Sequence, residues 1–481
     1  MRVTGANLLL LRATFIHNAA HSGHDPSTRP STQQELGFVM DYSVKRVLTG
    51  TGIGISACMM AAAPAYAQNP FTSGAADRTE VQESGANALR RGNANGMPTP
   101  EFSNAVNNIS VLGGDDQNIA LQSNSLDRQF ALPRVSRFAT RFFQRSLKQR
   151  GTAVTGYGQV ASLNDFLSQP NLVAQVGAPA ESAVFEEPPY ESQVRPAMGL
   201  WISGHGQYLD QDETDLGFGR YEADIYGGAV GHDWATGDNG YVGVAIGASD
   251  ADVEFDENFD GTADDSTIQS LYASFYGGWT EGQASVNGSF VYARHEYDLQ
   301  RNVFVGPGAT GVAESEHDGD EFAADIELAY DLTGDAANWF APFGGFEYSR
   351  LDQDAYSEDG VGGLSQSIED RETNVLRSRL GIKAGQRWIS GTGGVFSLWT
   401  SAAWSRDFNL DDREITGSFA GAPGTSITIV GPETERDGVQ FNLGMSYGLE
   451  DSFVIGLEGI GEVRDDLETY GGQLVLRKVV Y

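Results

Sequence analysis

Across residues 439–447 the side chains of Val439, Phe441, Leu443, Met445 and Tyr447 are apolar, and those of Gln440, Asn442, Gly444 and Ser446 are small or polar. A period of two places one set on each face of an extended strand. A soluble sandwich has the same period, so the chemistry of the second face must decide. Glu321, Asp325, Glu327 and Asp331 share one face of a stretch whose other face carries Phe322, Ala324, Ile326, Leu328 and Tyr330. Arg377, Arg379, Lys383 and Arg387 likewise oppose Leu376, Leu380 and Ile382, with Ser378 a polar exception on the apolar side. Rows of charge opposite rows of apolar groups suit a barrel with lipid outside and a polar lumen inside.

The pattern therefore predicts an all-β fold, a transmembrane outer-membrane barrel of twelve antiparallel strands over residues 199–481. Strands are expected near 199–210, 220–234, 241–255, 267–279, 284–302, 320–332, 340–357, 375–389, 394–409, 436–449, 453–465 and 469–481. Several exceed the roughly 9–11 residues that cross a bilayer, so they should project outward into long acidic loops such as 250–265. An even count puts both barrel ends on the periplasmic side. Pairing of first strand with last then removes the open edges.

The chain has 481 residues and a formal net charge of −34. All of that charge falls in 199–481, since the residues before it net about +1. Such a balance argues against nucleic acid as a partner, because phosphate binding needs a basic surface. Outer-membrane lipid, lipopolysaccharide and divalent cations are what acidic surface loops would meet. All seven tryptophans (Trp201, Trp234, Trp279, Trp339, Trp388, Trp399 and Trp404) lie in the same region. Interfacial girdles are expected, since the indole ring is apolar while its N–H prefers water. No mature segment has 18 consecutive apolar residues, so no transmembrane helix is expected.

The amino-terminal region reads as targeting sequence. Lys45-Arg46 supply a basic start, Val47 to Ala63 an apolar stretch, and Ala65-Tyr66-Ala67 a small-residue cleavage site. Cleavage is expected between Ala67 and Gln68, with 40–67 as the signal peptide and 1–39 as upstream extension before the start at Met40. Ile55-Ser56-Ala57-Cys58 also fits a loose lipobox, which would acylate Cys58. Cys58 is the only cysteine, so the mature chain forms no internal disulfide.

Residues 68–198 form a short passenger and linker. Up to about residue 130 the stretch is rich in Asn, Gly, Ser, Ala and Gln and reads as flexible, with two short local elements near 102–112 and 119–126. Beyond it, Arg137, Arg141 and Arg145 recur every four residues, with Arg134 and Lys148 on nearby faces and Phe138 and Phe142 one step round. Pro133 and Gly151 suit the two ends of a helix. A basic amphipathic helix is predicted near 134–150. It either lies at a membrane surface or plugs the anionic lumen as a pore helix.

Residues 200–481 resemble the translocator β-domain of autotransporters, the type V secretion proteins. The resemblance is carried in order by Gly199-Leu200-Trp201-Ile202-Ser203-Gly204-His205-Gly206, Tyr292-Ala293-Arg294-His295-Glu296-Tyr297-Asp298 and Tyr348-Ser349-Arg350-Leu351-Asp352-Gln353-Asp354-Ala355-Tyr356. Leu376-Arg377-Ser378-Arg379-Leu380-Gly381 and Phe419-Ala420-Gly421-Ala422-Pro423-Gly424 follow. The resemblance implies a monomeric twelve-stranded barrel, a pore-spanning helix and delivery of the N-terminal passenger to the cell surface. It also implies periplasmic chaperones and the outer-membrane assembly machinery as partners. The terminal strand matches the family's insertion signal through Val475, Val479 and Tyr481, interrupted by Arg477. Asn107-Asn108 resembles the Asn–Asn pair at which some members cut themselves, but it lies upstream of the predicted helix and lacks the surrounding pattern. No repeat of 20–50 residues marks a β-helical passenger.

Catalysis is not expected, nor is a cofactor or metal. There is no G-x-S-x-G or H-E-x-x-H motif and no Cys/His metal spacing in the mature chain. His205, His232 and His295 fall on strands, where a lumen or girdle position is the ordinary role. Asp252, Glu254 and Asp256 alternate along a strand, which cannot wrap a Ca²⁺ ion even with Asp260, Asp264 and Asp265 nearby. Three roles stay open: a barrel that exports and anchors its own short passenger, a structural or adhesive surface protein acting through its outer loops, and an enzyme housed in residues 68–197.

Overall fold

The computed structural model describes Phe71 and residues 78–95, 97–154 and 198–480, apart from short gaps at 215, 238, 257–263, 334–336, 390–394, 410–413, 432–435 and 450–452. The expected extension, the cleavage pair Ala67 and Gln68, Cys58 and Tyr481 lie outside the described residues. Four α-helices come first: α1 (Glu80–Asn95), α2 (Pro100–Ser110), α3 (Gly114–Ser123) and α4 (Ala131–Val154). Strands follow as β1 (Met198–Gln211), β2 (Tyr221–Ala235), β3 (Gly240–Phe255), β4 (Asp265–Glu281), β5 (Ala284–Gly306), β6 (Ala309–Tyr330), β7 (Asn338–Gln353) and β8 (Tyr356–Ser357). After them come β9 (Gln366–Ile368), β10 (Arg371–Ile389), β11 (Val395–Asn409), β12 (Glu414–Phe419), β13 (Ile427–Val430), β14 (Asp437–Leu449), β15 (Phe453–Val463) and β16 (Leu467–Val480).

Twelve of these strands close into an antiparallel barrel in which β1 pairs with both β2 and β16. Met198 lies opposite Val480 at one end, called here the near end, and Gln211 opposite Leu467 at the far end. The alternation read from sequence sorts the faces. Leu328, Leu380 and Phe441 point outward and are exposed, whereas Glu321, Asp325, Glu327 and Arg377 point inward and are buried. An apolar outer wall around a charged interior is the transmembrane arrangement, with every barrel strand paired on both sides. No helix among the described residues is long and apolar enough to cross a membrane.

Two expectations about faces need correction. Along β16, Val475 and Arg477 are buried in the lumen, while Tyr470, Leu474 and Leu476 face outward. The outward row of the described part of this strand is therefore the even-numbered one, and Arg477 shares the inward row with Val475. Backbone register pairs Val479 with Gly199. The tryptophans also divide. Trp234, Trp279, Trp388 and Trp404 are exposed on the outer wall, but Trp201 and Trp339 are buried inside and Trp399 packs against Trp339. Each inward ring covers a glycine directly across the ladder. A Cβ on Gly231 would meet the Trp201 ring at 2.6 Å, and one on Gly444 would meet the Trp399 ring at 2.2 Å.

The far end carries structure that extends beyond the barrel. The long connections after β7 and β11 contribute a separate sheet in the order β13-β12-β9-β8. An isolated bridge from Glu314 to Asp359 ties its surroundings to the projecting end of β6. Helices α1, α2 and α3 form a cap that shares a buried core with this sheet and with the end of β5: Val81, Leu89, Phe102, Val106, Ile109 and Leu121 pack with Phe304, Ile368, Ile415, Phe419, Ile427 and Ile429. The described part of the stretch read as flexible is thus largely helical. Phe102, Val106 and Ile109 fall on one helical face, and Thr99 caps α2 by accepting the Phe102 N–H at 3.2 Å. Helices α1 and α3 touch closely, since a Cβ on Gly85 would meet the Leu121 carbonyl oxygen at 2.3 Å. Half of this core comes from loops some 200–300 residues later in the chain, which is why composition of the segment alone underestimates its order.

Candidate functional site

The site is the barrel lumen, and α4 occupies it. The helix has 24 residues, which at 1.5 Å per residue is roughly 36 Å, comparable with a bilayer core of about 30 Å. It begins at the far end, where Arg134 donates to Gln211 and lies 3.9 Å from Asp466. One turn on, Ser136 accepts a hydrogen bond from the Tyr297 hydroxyl at 3.0 Å. Thr140 donates to Glu321 at 2.5 Å and Phe143 stacks on Tyr272 with centroids 4.7 Å apart. Ser146 then reaches Gln473 at 2.9 Å, and Leu147 packs with Trp201 and Tyr276 towards the near end. These partners lie on β1, β4, β5, β6 and β16, so the helix is contacted from around the barrel.

Its cations meet fixed carboxylates. Arg141 Nε lies 2.8 Å from Glu347, Arg145 Nη2 lies 3.6 Å from Glu462, and Lys148 Nζ lies 2.6 Å from Asp325. Asp325 and Glu462 are themselves held by cations of the wall, within a wider set of pairs. Arg379 reaches Asp325 at 2.7 Å, Lys383 binds Glu327, and Arg377 joins Asp407 at 2.5 Å to Glu462 at 3.1 Å. Arg464 completes that cluster with Glu462 at 2.8 Å and Asp407 at 3.1 Å. A buried charge is tolerated where it is paired and hydrogen-bonded. Here the acidic row of β6 and the basic row of β10, legible as two separate faces in the sequence, are cross-braced, and the helix adds a third layer to them.

The predicted helix residues divide. Arg141 and Arg145 reach carboxylates, whereas Arg137 donates only to the Pro133 carbonyl, at 2.9 Å. Lys148, which the spacing put on a nearby face, reaches Asp325 at 2.6 Å. Glu347, Asp407 and Glu462 were not singled out from sequence. Their signal was present as inward parity on strands whose outward neighbours are apolar. Of the histidines, His295 is buried, 2.8 Å from Ser270 Oγ and 3.1 Å from Glu321. His205 packs on Phe142 inside the lumen, and His232 lies outside against Trp234. Asp252 and Glu254 point outward, and Asp264 instead accepts from the backbone N–H and side chain of Asn302. No group of three or more metal-ligating side chains occurs among the described residues. Asn107 and Asn108 lie exposed on α2, away from the lumen.

Fold and lumen together define an outer-membrane barrel with a helix threaded through it. The chain belongs to the autotransporter family, whose β-domain model matches residues 200–459. It is 24% identical over 259 residues to the Pseudomonas aeruginosa protein named esterase EstA, covering 52% of this chain and 38% of that one. It is also 24% identical over 190 residues to outer membrane protein B of Rickettsia prowazekii, covering 38% of this chain and 11% of that one. Both relatives are thus matched over well under half of their own length. Among solved structures, the translocator domain of autotransporter NalP from Neisseria meningitidis is 15% identical, with a TM-score of 0.47 over 68% of this chain and 99% of that one.

Proposed function

We propose that the barrel carries its own short N-terminal segment across the outer membrane and keeps it, uncleaved, as a cap on the cell surface. The observation that supports this most is chain order. The helices α1 to α3 precede α4, α4 lies in the lumen, and the barrel's own ends meet at the opposite, near end. With the near end periplasmic, the cap stands outside. The paired cations of α4 then act as a plug that seals the pore after passage. Lipopolysaccharide around the outer wall, periplasmic chaperones and the barrel-assembly machinery are the partners this reading requires.

The decisive experiment inserts an epitope between Gln68 and Asn69 and labels intact cells. A surface signal removed by trypsin is expected. A tag detected only after the outer membrane is permeabilised would sink the reading.

A second reading has one observation in its favour: the four-stranded outer sheet builds a folded surface jointly with the cap. The exposed part would then serve as a structural or adhesive surface. The esterase name of one relative extends to a whole protein of which this chain matches 38%. We infer no catalysis here, and an ester-hydrolysis assay on the purified full chain tests that; activity above a buffer control would overturn it.

A further inference from the structure

Between the cap and the first turns of α4 lies a cavity of about 440 Å³ at the far end of the lumen. Its lining combines rings and guanidinium groups. Phe130 and Phe218 meet edge to face at 5.4 Å, and Phe138 and Phe255 also line the space. Arg137 and Arg371 line it too. Among the described residues neither guanidinium has a carboxylate within ion-pair distance. Arg137 donates only to a carbonyl, and Arg371 donates to the Gln353 amide oxygen and the Gln129 carbonyl. Of the carboxylates that also line the space, Asp407 is held by Arg377 and Arg464, and Asp127, Glu213, Asp256 and Glu414 form no ion pair with Arg137 or Arg371.

Two further groups on the cavity wall are more than nine-tenths buried and unpartnered. The Tyr221 hydroxyl, on a residue 6% exposed, has no hydrogen-bond partner, and neither has Nη1 of Arg141, on a residue 8% exposed. The Arg137 Nη1 is in the same condition. A buried polar group without a partner costs stability. Two unpaired like charges facing one space add to that cost, in a chain whose net charge is −34 and which has carboxylates to spare. Guanidinium groups bind phosphates and carboxylates through paired N–H donors. A cavity that combines cationic and hydroxyl donors with aromatic rings has the usual make-up of a small-molecule site.

We propose that this cavity binds a small organic anion, its phosphate or carboxylate head on Arg137 and Arg371 and its apolar body against Phe130, Phe138 and Phe218. The proposal does not depend on export of the cap, since it concerns only a site at the far mouth of the folded chain.

Calorimetric titration of the folded full chain in detergent with phenyl phosphate tests it, beside inorganic phosphate and phenol. One phenyl phosphate per chain should bind, about tenfold or more tightly than either fragment probe, because rings and guanidinium groups both contribute. Arg137→Gln and Arg371→Gln should each weaken it by about tenfold, while Arg294→Gln, on the outer wall, should not. A second measurement needs no variant: phenyl phosphate should protect Arg137 and Arg371 of the native chain from phenylglyoxal, read by peptide mass spectrometry. No binding by the native chain up to about 10 mM, unchanged binding by both arginine variants, equal binding of phenol, or absence of protection would each overturn the assignment.

Discussion

Arg141 and Lys148 tie the helix to the charged wall. Lys148 meets Asp325, which Arg379 also holds, and both helix cations approach Glu347, so each contact is one member of a larger network. Reversing one charge leaves a buried carboxylate facing another. Breaking a buried pair from one side costs about 3–5 kcal/mol. Arg141→Glu combined with Lys148→Glu is expected to loosen α4 and raise single-channel conductance in planar bilayers severalfold. Arg137→Glu alone, at a position without a carboxylate partner, should change conductance much less. Equal effects of the two would show that the helix is held by something other than these pairs. Sequence spacing placed Arg137, Arg141 and Arg145 on one face as equals. The structure separates them because the wall is not uniform: Glu347 and Glu462 sit opposite two of the three.

Among elements, barrel strands were the most legible, because lipid on one side and charge on the other impose a local pattern on every strand. The cap was the least legible. Its helix α2 shows a clear apolar face in Phe102, Val106 and Ile109, yet the partners of that face, Ile415 and Phe419, lie in loops that only the closed barrel brings close. The outer sheet was missed for a related reason: Glu414–Phe419 and Ile427–Val430 alternate, but they are too short to cross a bilayer and so fell between barrel strands. The inward tryptophans were misread because orientation depends on a glycine in the neighbouring strand, and no single strand reveals its register. Two predictions belong here. Phe102→Ala should destabilise the cap by about 3–5 kcal/mol, giving faster proteolysis of residues 80–130 while the barrel keeps its heat-modifiable migration on gels. Gly444→Val should drive the Trp399 ring from its socket and cost about 1–3 kcal/mol, measured as a lower unfolding temperature of the barrel with the cap's protease resistance retained.

For the whole molecule, cap, sheet and barrel form a single folding problem. Removing 414–430 while rejoining β11 to β14 takes away Ile415, Phe419, Ile427 and Ile429 from the shared core. The barrel should still close, since none of its ladder partners is lost. The cap should become protease-sensitive along its length. A cap that stays resistant would mean that α1 to α3 fold without the sheet.

The shared core also has a direction in time. If the cap is exported as proposed, a helix such as α2 would meet Ile415 and Phe419 only at the far mouth, after leaving the lumen. Burying one side chain of the size of Phe102 is worth about 1.5–3 kcal/mol, and that gain is realised on one side of the membrane only. On the proposed export route the outer sheet would work as a ratchet pawl: thermal motion would carry the segment either way through the pore, and docking against the barrel's own loops would penalise the backward step.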